Sequence, residues 1–212
     1  MSTQIKGIIW DWGNVLGRFS HERVREQLSK YCSSPPEEMK DVLRGPSQLH
    51  ESGALSSFRF YVVVRRILNL EADYEMFHSL WSECIIGDNP KIEKILSRLS
   101  QSVPIAILSN TDPIHWEEIE KLFVVRQFFP ESRRVRSYEP RVRARKPDKK
   151  IYQVALQTLG LTQDAAHALF VDDIEENCEA FRALGGHALQ YDCSTDPIEK
   201  LERALAPFGV FR

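Results

Sequence analysis

Short apolar runs alternate along this chain with longer stretches whose apolar residues recur at helical spacing. Few folds accommodate that alternation. Runs without polar interruption read as strands buried on both faces, and the helices between them are the crossovers that parallel strands require. The strand candidates are Gly7 to Trp10, Ile105 to Leu108, Arg133 to Ser137, Ala168 to Val171 and His187 to Gln190, the third being the most polar. Between them Ile92, Ile95, Leu96 and Leu99 mark one helical stripe, Ile151, Val154, Ala155 and Leu159 a second, and Ala180, Phe181 and Leu184 a third. Asn89-Pro90, Asp112-Pro113 and Asp196-Pro197 read as helix starts, each pairing a capping side chain with a proline suited to the first turn. An α/β fold with a parallel sheet follows.

From about Gly17 to Gly87 the alternation stops, and apolar residues at helical spacing continue with no convincing strand. Such a segment is too long for a loop in a compact domain. It reads as a helical insert, residues 17–87, between the halves of a core made of 1–16 and 88–212. Placed directly after the first strand, it would lie over the strand ends, where open α/β sheets bind ligands.

Four polar clusters sit at or just beyond strand ends: Asp11-Trp12-Gly13-Asn14-Val15, Ser109-Asn110-Thr111, Lys146-Pro147-Asp148 and Asp172-Asp173. In a parallel sheet those ends share one edge, so residues more than 150 positions apart can converge. Convergence would crowd two or three carboxylates around one lysine, and without a counter-charge one pKa would climb. Mg²⁺ suits such a site, because it accepts a few carboxylate oxygens while keeping waters and a substrate phosphate. Lys146 and the Ser109 hydroxyl could bind the remaining phosphate oxygens, helped by backbone N–H groups around Asn110 and Thr111. Asp11 could then attack phosphorus in line. Each cluster alone has an ordinary structural reading as a turn, a cap or a surface charge; Asp172-Asp173 is the least ordinary, because adjacent acids after a buried strand repel each other.

Taken in order, the segments Ile-Ile-Trp-Asp-Trp-Gly-Asn-Val-Leu (8–16), Ile-Leu-Ser-Asn-Thr (107–111), Arg-Lys-Pro-Asp-Lys-Lys-Ile-Tyr (145–152) and Phe-Val-Asp-Asp-Ile-Glu-Glu-Asn (170–177) resemble the four motifs of the haloacid dehalogenase (HAD) superfamily of hydrolases. The resemblance runs from about Ile5 to Tyr191. It implies a three-layer Rossmann-like core with a small helical cap after the first strand, Asp11 as nucleophile, and Ser109, Asn110 and Lys146 at the substrate phosphate. It also implies Mg²⁺ held by Asp11, the Gly13 carbonyl, Asp172 and Asp173. The expected activity is hydrolysis of a small phosphorylated metabolite through an aspartyl-phosphate.

Two features depart from the common pattern. Most phosphatases of the superfamily carry a second aspartate two residues after the nucleophile, as the acid for the leaving group; here that position is Gly13. The Asp-x-Gly-Asn-Val branch, which includes sugar-1-phosphate phosphatases of the α-D-glucose-1-phosphate type, shares the glycine. The loop before Lys146 is about two residues longer than usual, which could shift the lysine. Residues 133–146 carry seven basic side chains (Arg133, Arg134, Arg136, Arg141, Arg143, Arg145, Lys146) against Glu139. That segment reads either as an anion-attracting rim or as a solvated loop.

A formal net charge of -2 over 212 residues gives no general electrostatic case for nucleic acid or anionic membrane. Four scattered cysteines show no metal-finger spacing, and the apolar stretch near the start is only four residues long before Asp11, so neither a signal peptide nor a membrane span is expected. A cytoplasmic location is the default. Two other classes compete with a phosphatase: a dehalogenase, which attacks carbon and has no use for a divalent cation, and a non-catalytic binding protein that lost its acid at position 13.

Overall fold

In the computed structural model, which describes residues 4–99 and 101–211, the run Gly7–Trp10 forms β1. Residues 1–3, which belong to the start of the chain read above for a leader, lie outside the described residues. The chain continues through β2 (Gly17–Phe19), α1 (His21–Leu28), α2 (Pro36–Glu51), α3 (Ser57–Leu68), α4 (Tyr74–Ser82) and β3 (Ile85–Asp88). Then come α5 (Ile92–Leu99), β4 (Ile105–Ser109), α6 (Pro113–Ile119), α7 (Phe123–Phe128) and β5 (Arg134–Arg136). The last elements are α8 (Lys149–Thr158), β6 (Ala168–Asp172), α9 (Glu175–Ala183), β7 (His187–Gln190) and α10 (Ile198–Leu205). Five strands form a wholly parallel sheet in the order β5-β4-β1-β6-β7.

The period-2 alternation of strand side chains divides the core into two layers. From β1, Ile8 and Trp10 join Ile92, Ile95, Leu96 and Leu99 of α5 on one face, while Ile9 joins Ile151, Tyr152 and Phe181 of α8 and α9 on the other. Each of the four α5 residues is at most 1% exposed, and such burial stabilises by roughly 1.5–3 kcal/mol per side chain. The α/β expectation, with a central parallel sheet between helical layers, holds.

Three local expectations need correction. The third strand candidate shrinks to Arg134–Arg136 at the sheet edge, where polar side chains are tolerated. Segment 17–87 does contain strand: β2 pairs antiparallel with β3, Gly17 opposite Asp88. Three- and four-residue strands whose partners lie about 70 positions apart leave no periodic trace. All three proposed helix starts lie within two residues of a helix, but only Asp112 caps one through its side chain, accepting the His115 N–H of α6; Asp196 instead accepts from the Asp192 N–H and Lys200. Helices α1 to α4 enclose their own apolar cluster, in which Phe60, Phe77 and Trp81 meet Val24, Met39 and Ile114 of α6. Among the described residues, no helix is long and apolar enough to cross a membrane.

Candidate active site

Parallel pairing of β1 with β4 and β6 delivers Asp11, Ser109 and Asp172 to one sheet edge. The Asp11 Oδ1 accepts the Trp12 N–H at 2.7 Å and lies 2.7 Å from Lys146 Nζ. The same ammonium donates to Asp172 Oδ2 at 2.7 Å. Asp172 is fully buried and accepts two further bonds at Oδ1, from the Ile174 N–H and from Asn177 Nδ2, both 2.9 Å. Asp173, half-buried, accepts from Asn14 Nδ2 at 3.3 Å. Asp11, Asp172 and Asp173 each present an oxygen within 4.8 Å of the others'. The long loop before Lys146 therefore does not carry the lysine away from the acids. Asn110 pins it: its amide accepts from the Lys146 N–H at 2.8 Å and donates to the Lys146 carbonyl at 3.1 Å.

One lysine facing three carboxylates leaves an imbalance. Burial, with Asp172 and Asp173 adding to it against the pull of Lys146, pushes the Asp11 carboxyl up to about 8. The Asp173 carboxyl is raised too, by burial and by Asp172. Lys146, despite burial, is held protonated by Asp11 and Asp172. The site is built to receive additional positive charge.

Around this cluster lies a cavity of about 250 Å³, walled by Asp11, Ser109, Lys146 and Asp173 from the sheet edge and by Phe19, His21 and Glu51 from segment 17–87. Among the described residues the Ser109 hydroxyl takes no partner, so it is available to a ligand. Asn110 lines the cavity, but its side-chain amide is committed to the main chain of Lys146. The Thr111 N–H, expected as a free donor, bonds the Ser137 hydroxyl at 3.0 Å. Gly13 leaves open space: a Cβ there would meet nothing within 4 Å.

Sequence reasoning missed several supports. Asn14 adopts φ 51°, a left-handed conformation that asparagine tolerates, and ties Asp173, the Phe19 N–H and, through its carbonyl, the Cys193 N–H. Asn177 clamps Asp172 from one turn into α9; its place in the 170–177 segment was the available signal. Trp81, Asp112 and His115 form a buried knot between α4 and α6. Asp112 accepts from Trp81 Nε1 at 3.1 Å and pairs with His115 Nδ1 at 2.9 Å, while His115 stacks on the Trp81 indole. Burial opposes charge on His115, but Asp112 overrides it and holds the imidazole pKa well above its usual value. His50 is core, stacked on Phe60, and His78 pairs with Glu117.

Most of the basic segment forms no rim: its first arginines are paired, while Arg141 and Arg143 stay exposed to solvent. Arg134, Arg136 and Arg141 are consumed by Glu131, Glu139 and main-chain carbonyls, and Arg133 donates to the Thr158 carbonyl. Besides Lys146, Arg145 lines the cavity, where it meets Glu51 at 2.6 Å.

Comparison with known proteins agrees with this architecture. Residues 5–185 match the model of the haloacid dehalogenase-like hydrolases. No curated protein matches the chain. A HAD family enzyme from Bacteroides thetaiotaomicron shares the fold with a TM-score of 0.82 at 23% identity, covering 93% of this chain and 98% of its own. That enzyme has also been solved in complex with magnesium and inorganic phosphate, a structure with a TM-score of 0.78 at 23% identity that covers 91% of this chain and 96% of its own. The L-2-haloacid dehalogenase from Xanthobacter autotrophicus is more distant, with a TM-score of 0.60 at 22% identity over 96% of this chain and 83% of its own. At such identities the structural likeness speaks for the fold, but the sequence match spans most of the chain: it belongs to the haloacid dehalogenase-like hydrolase family.

Proposed function

We propose that this hydrolase is a Mg²⁺-dependent phosphatase of small phosphorylated metabolites, in which Asp11 is the nucleophile. The observation that carries the reading is the convergence of three carboxylates within 4.8 Å of one another, two of them paired with a single lysine. The donor set fits a hard cation: all oxygens, one of them from an acid that burial and its neighbours hold above its ordinary pKa. Asp11, Asp173 and the Gly13 carbonyl would hold it, with Asp172 beside them. When bound, Mg²⁺ supplies charge neutralisation and orientation for the phosphoryl group. A dehalogenase reading leaves the acidic trio without a purpose, since attack on carbon needs no cation. That the related Bacteroides enzyme was solved with magnesium and inorganic phosphate points the same way.

The chain's own residues divide the remaining work. Lys146 and the Trp12 N–H occupy Asp11 Oδ1, so the other carboxylate oxygen faces the substrate. As that oxygen bonds phosphorus, the ester P–O bond breaks and the leaving oxygen takes a proton from water. Water then attacks the aspartyl-phosphate, frees inorganic phosphate and returns Asp11 to a carboxylate. Ser109 and Lys146 donate to phosphoryl oxygens through both steps. Position 13 offers no acid, a contribution typically worth about 10²- to 10⁴-fold. Substrates with weakly basic leaving oxygens fit this site best, sugar 1-phosphates among them, as in the Asp-x-Gly-Asn-Val branch. Gly13 is also the observation that favours a non-catalytic descendant, against which stands the intact set of Asp11, Lys146, Asp172 and Asp173.

Phosphate release from a panel of sugar 1-phosphates and aryl phosphates, with Mg²⁺ and with chelator, tests the proposal. Turnover that chelator abolishes and Asp11→Asn eliminates is expected. Turnover that persists in chelator, or none on any ester, overturns it.

A further inference from the structure

Beside the catalytic cavity lies a second one, of about 210 Å³, enclosed by α1, α2 and α4. The two share His21, Glu51, His115 and Arg145 in their walls, so they adjoin where Arg145 meets Glu51. The floor of the second cavity is apolar and buried: Val24, Met39, Leu43 and Trp81. Its walls are basic, with Arg25 on α1 and Lys40 and Arg44 one turn apart on α2. Among the described residues, the side chains of Arg25 and Lys40 take no hydrogen-bonding or ionic partner, and Arg44 has only the exposed Asp41 at 3.6 Å. Among the described residues, the cavity lining thus sets Arg25, Lys40, Arg44 and Arg145 against one carboxylate, Glu51, with Asp41 outside the lining, in a chain whose net charge is -2. The arrangement differs from segment 133–146, where acids and carbonyls consume the guanidiniums. Positive charge left unpaired around an apolar recess is complementary to an anion borne on an apolar body.

We infer that the substrate carries, besides the scissile phosphate, an apolar body that lies on Trp81 and Met39 and a second anionic group, carboxylate or phosphate, received by Arg25, Lys40 and Arg44. The inference rests on the phosphatase reading, which places the first phosphate at Ser109 and Lys146. It names the substrate class as doubly anionic phosphomonoesters and makes the three basic residues determinants of specificity.

Three probes with leaving groups of similar basicity test it: 4-propylphenyl phosphate, 3-(4-phosphonooxyphenyl)propanoate and 3-(4-phosphonooxyphenyl)propylphosphonate. The two esters with a second anion are expected to exceed the propyl ester in kcat/KM by about tenfold, the size of one partly exposed charge-assisted contact. In the Arg25→Gln/Lys40→Gln variant, with an unaltered melting temperature, the ratio falls toward one. The carboxylate and phosphonate arms tell which anion the rim prefers. Calorimetric titration of the same compounds into Asp11→Asn reads binding without turnover. Equal kcat/KM or equal affinity for all three compounds, or a preference that survives the double variant, overturns the inference while leaving the phosphatase reading intact. Tighter calorimetric binding of the two doubly anionic compounds with no hydrolysis of any ester overturns the phosphatase reading and leaves the anion site standing.

Discussion

Lys146→Met removes the only cation that pairs with Asp11 and Asp172 among the described residues, and the structure sets the size of the effect. The ammonium is 2% exposed and sits 2.7 Å from each carboxylate. Exposed ion pairs are worth about 0–1 kcal/mol, but leaving a buried charge without its partner costs roughly 3–5 kcal/mol. The lower end, about 3 kcal/mol, applies here because Asp11, already pushed up to about 8, can take a proton instead of remaining charged. An acid whose pKa rises on folding binds more protons folded than unfolded, so stability falls as pH climbs through its folded value. The deficit of Lys146→Met relative to the wild type should therefore widen between pH 5 and pH 9. Urea denaturation in chelator, extrapolated linearly to water at several pH values, measures both quantities. A loss under about 1 kcal/mol at pH 7, the range of an exposed pair, would refute the claim that Lys146 is the electrostatic keystone of the acidic trio.

Gly13→Asp should add no steric strain, since nothing lies within 4 Å of the new Cβ, but a fourth carboxylate beside the acidic trio should cost about 1 kcal/mol in chelator. Steady-state kinetics should show it raising kcat/KM on alkyl phosphates by about tenfold or more, with little gain on nitrophenyl phosphate, whose leaving group needs no proton. Gly17→Ala should cost about 1–3 kcal/mol in thermal or chemical denaturation, because its Cβ would stand 2.2 Å from the Trp12 ring. Asp112→Asn should destabilise by about 3 kcal/mol at pH 7, since it strips a buried His115 of the charge that holds it protonated. In the wild type that contribution is lost as pH rises through the raised His115 pKa, and as pH falls through the Asp112 carboxyl, which His115 holds below the usual range. Stability curves of wild type and variant should converge at both extremes.

Much of the architecture was legible in one dimension because burial on both faces of a parallel strand demands an uninterrupted apolar run. Gly7–Trp10 and Ala168–Asp172 announce themselves for that reason, and their polar successors, Asp11 and Asp173, fall at the functional edge by the same geometry. The order of Asp11, Ser109, Lys146 and Asp172-Asp173 pointed to the hydrolase family before any contact was known. Composition left the role of the basic segment open, because it does not show which side chains pair. The arginines of 133–146 resemble a binding rim until folding brings Glu131 and the Phe129 and Thr158 carbonyls to them. The β2–β3 ribbon needs a partner about 70 residues away, so no local period records it.

By itself the chain determined which groups are present and which end of each strand they follow, since these depend on neighbours one to four residues apart. Tertiary structure alone decided which acids share Lys146, that Asn110 holds the main chain rather than presenting its amide, and that Arg25, Lys40 and Arg44 surround an apolar recess with only Asp41 and Glu51 near them. Charge interactions reach across space and ignore sequence separation, so their balance exists only once the chain is folded.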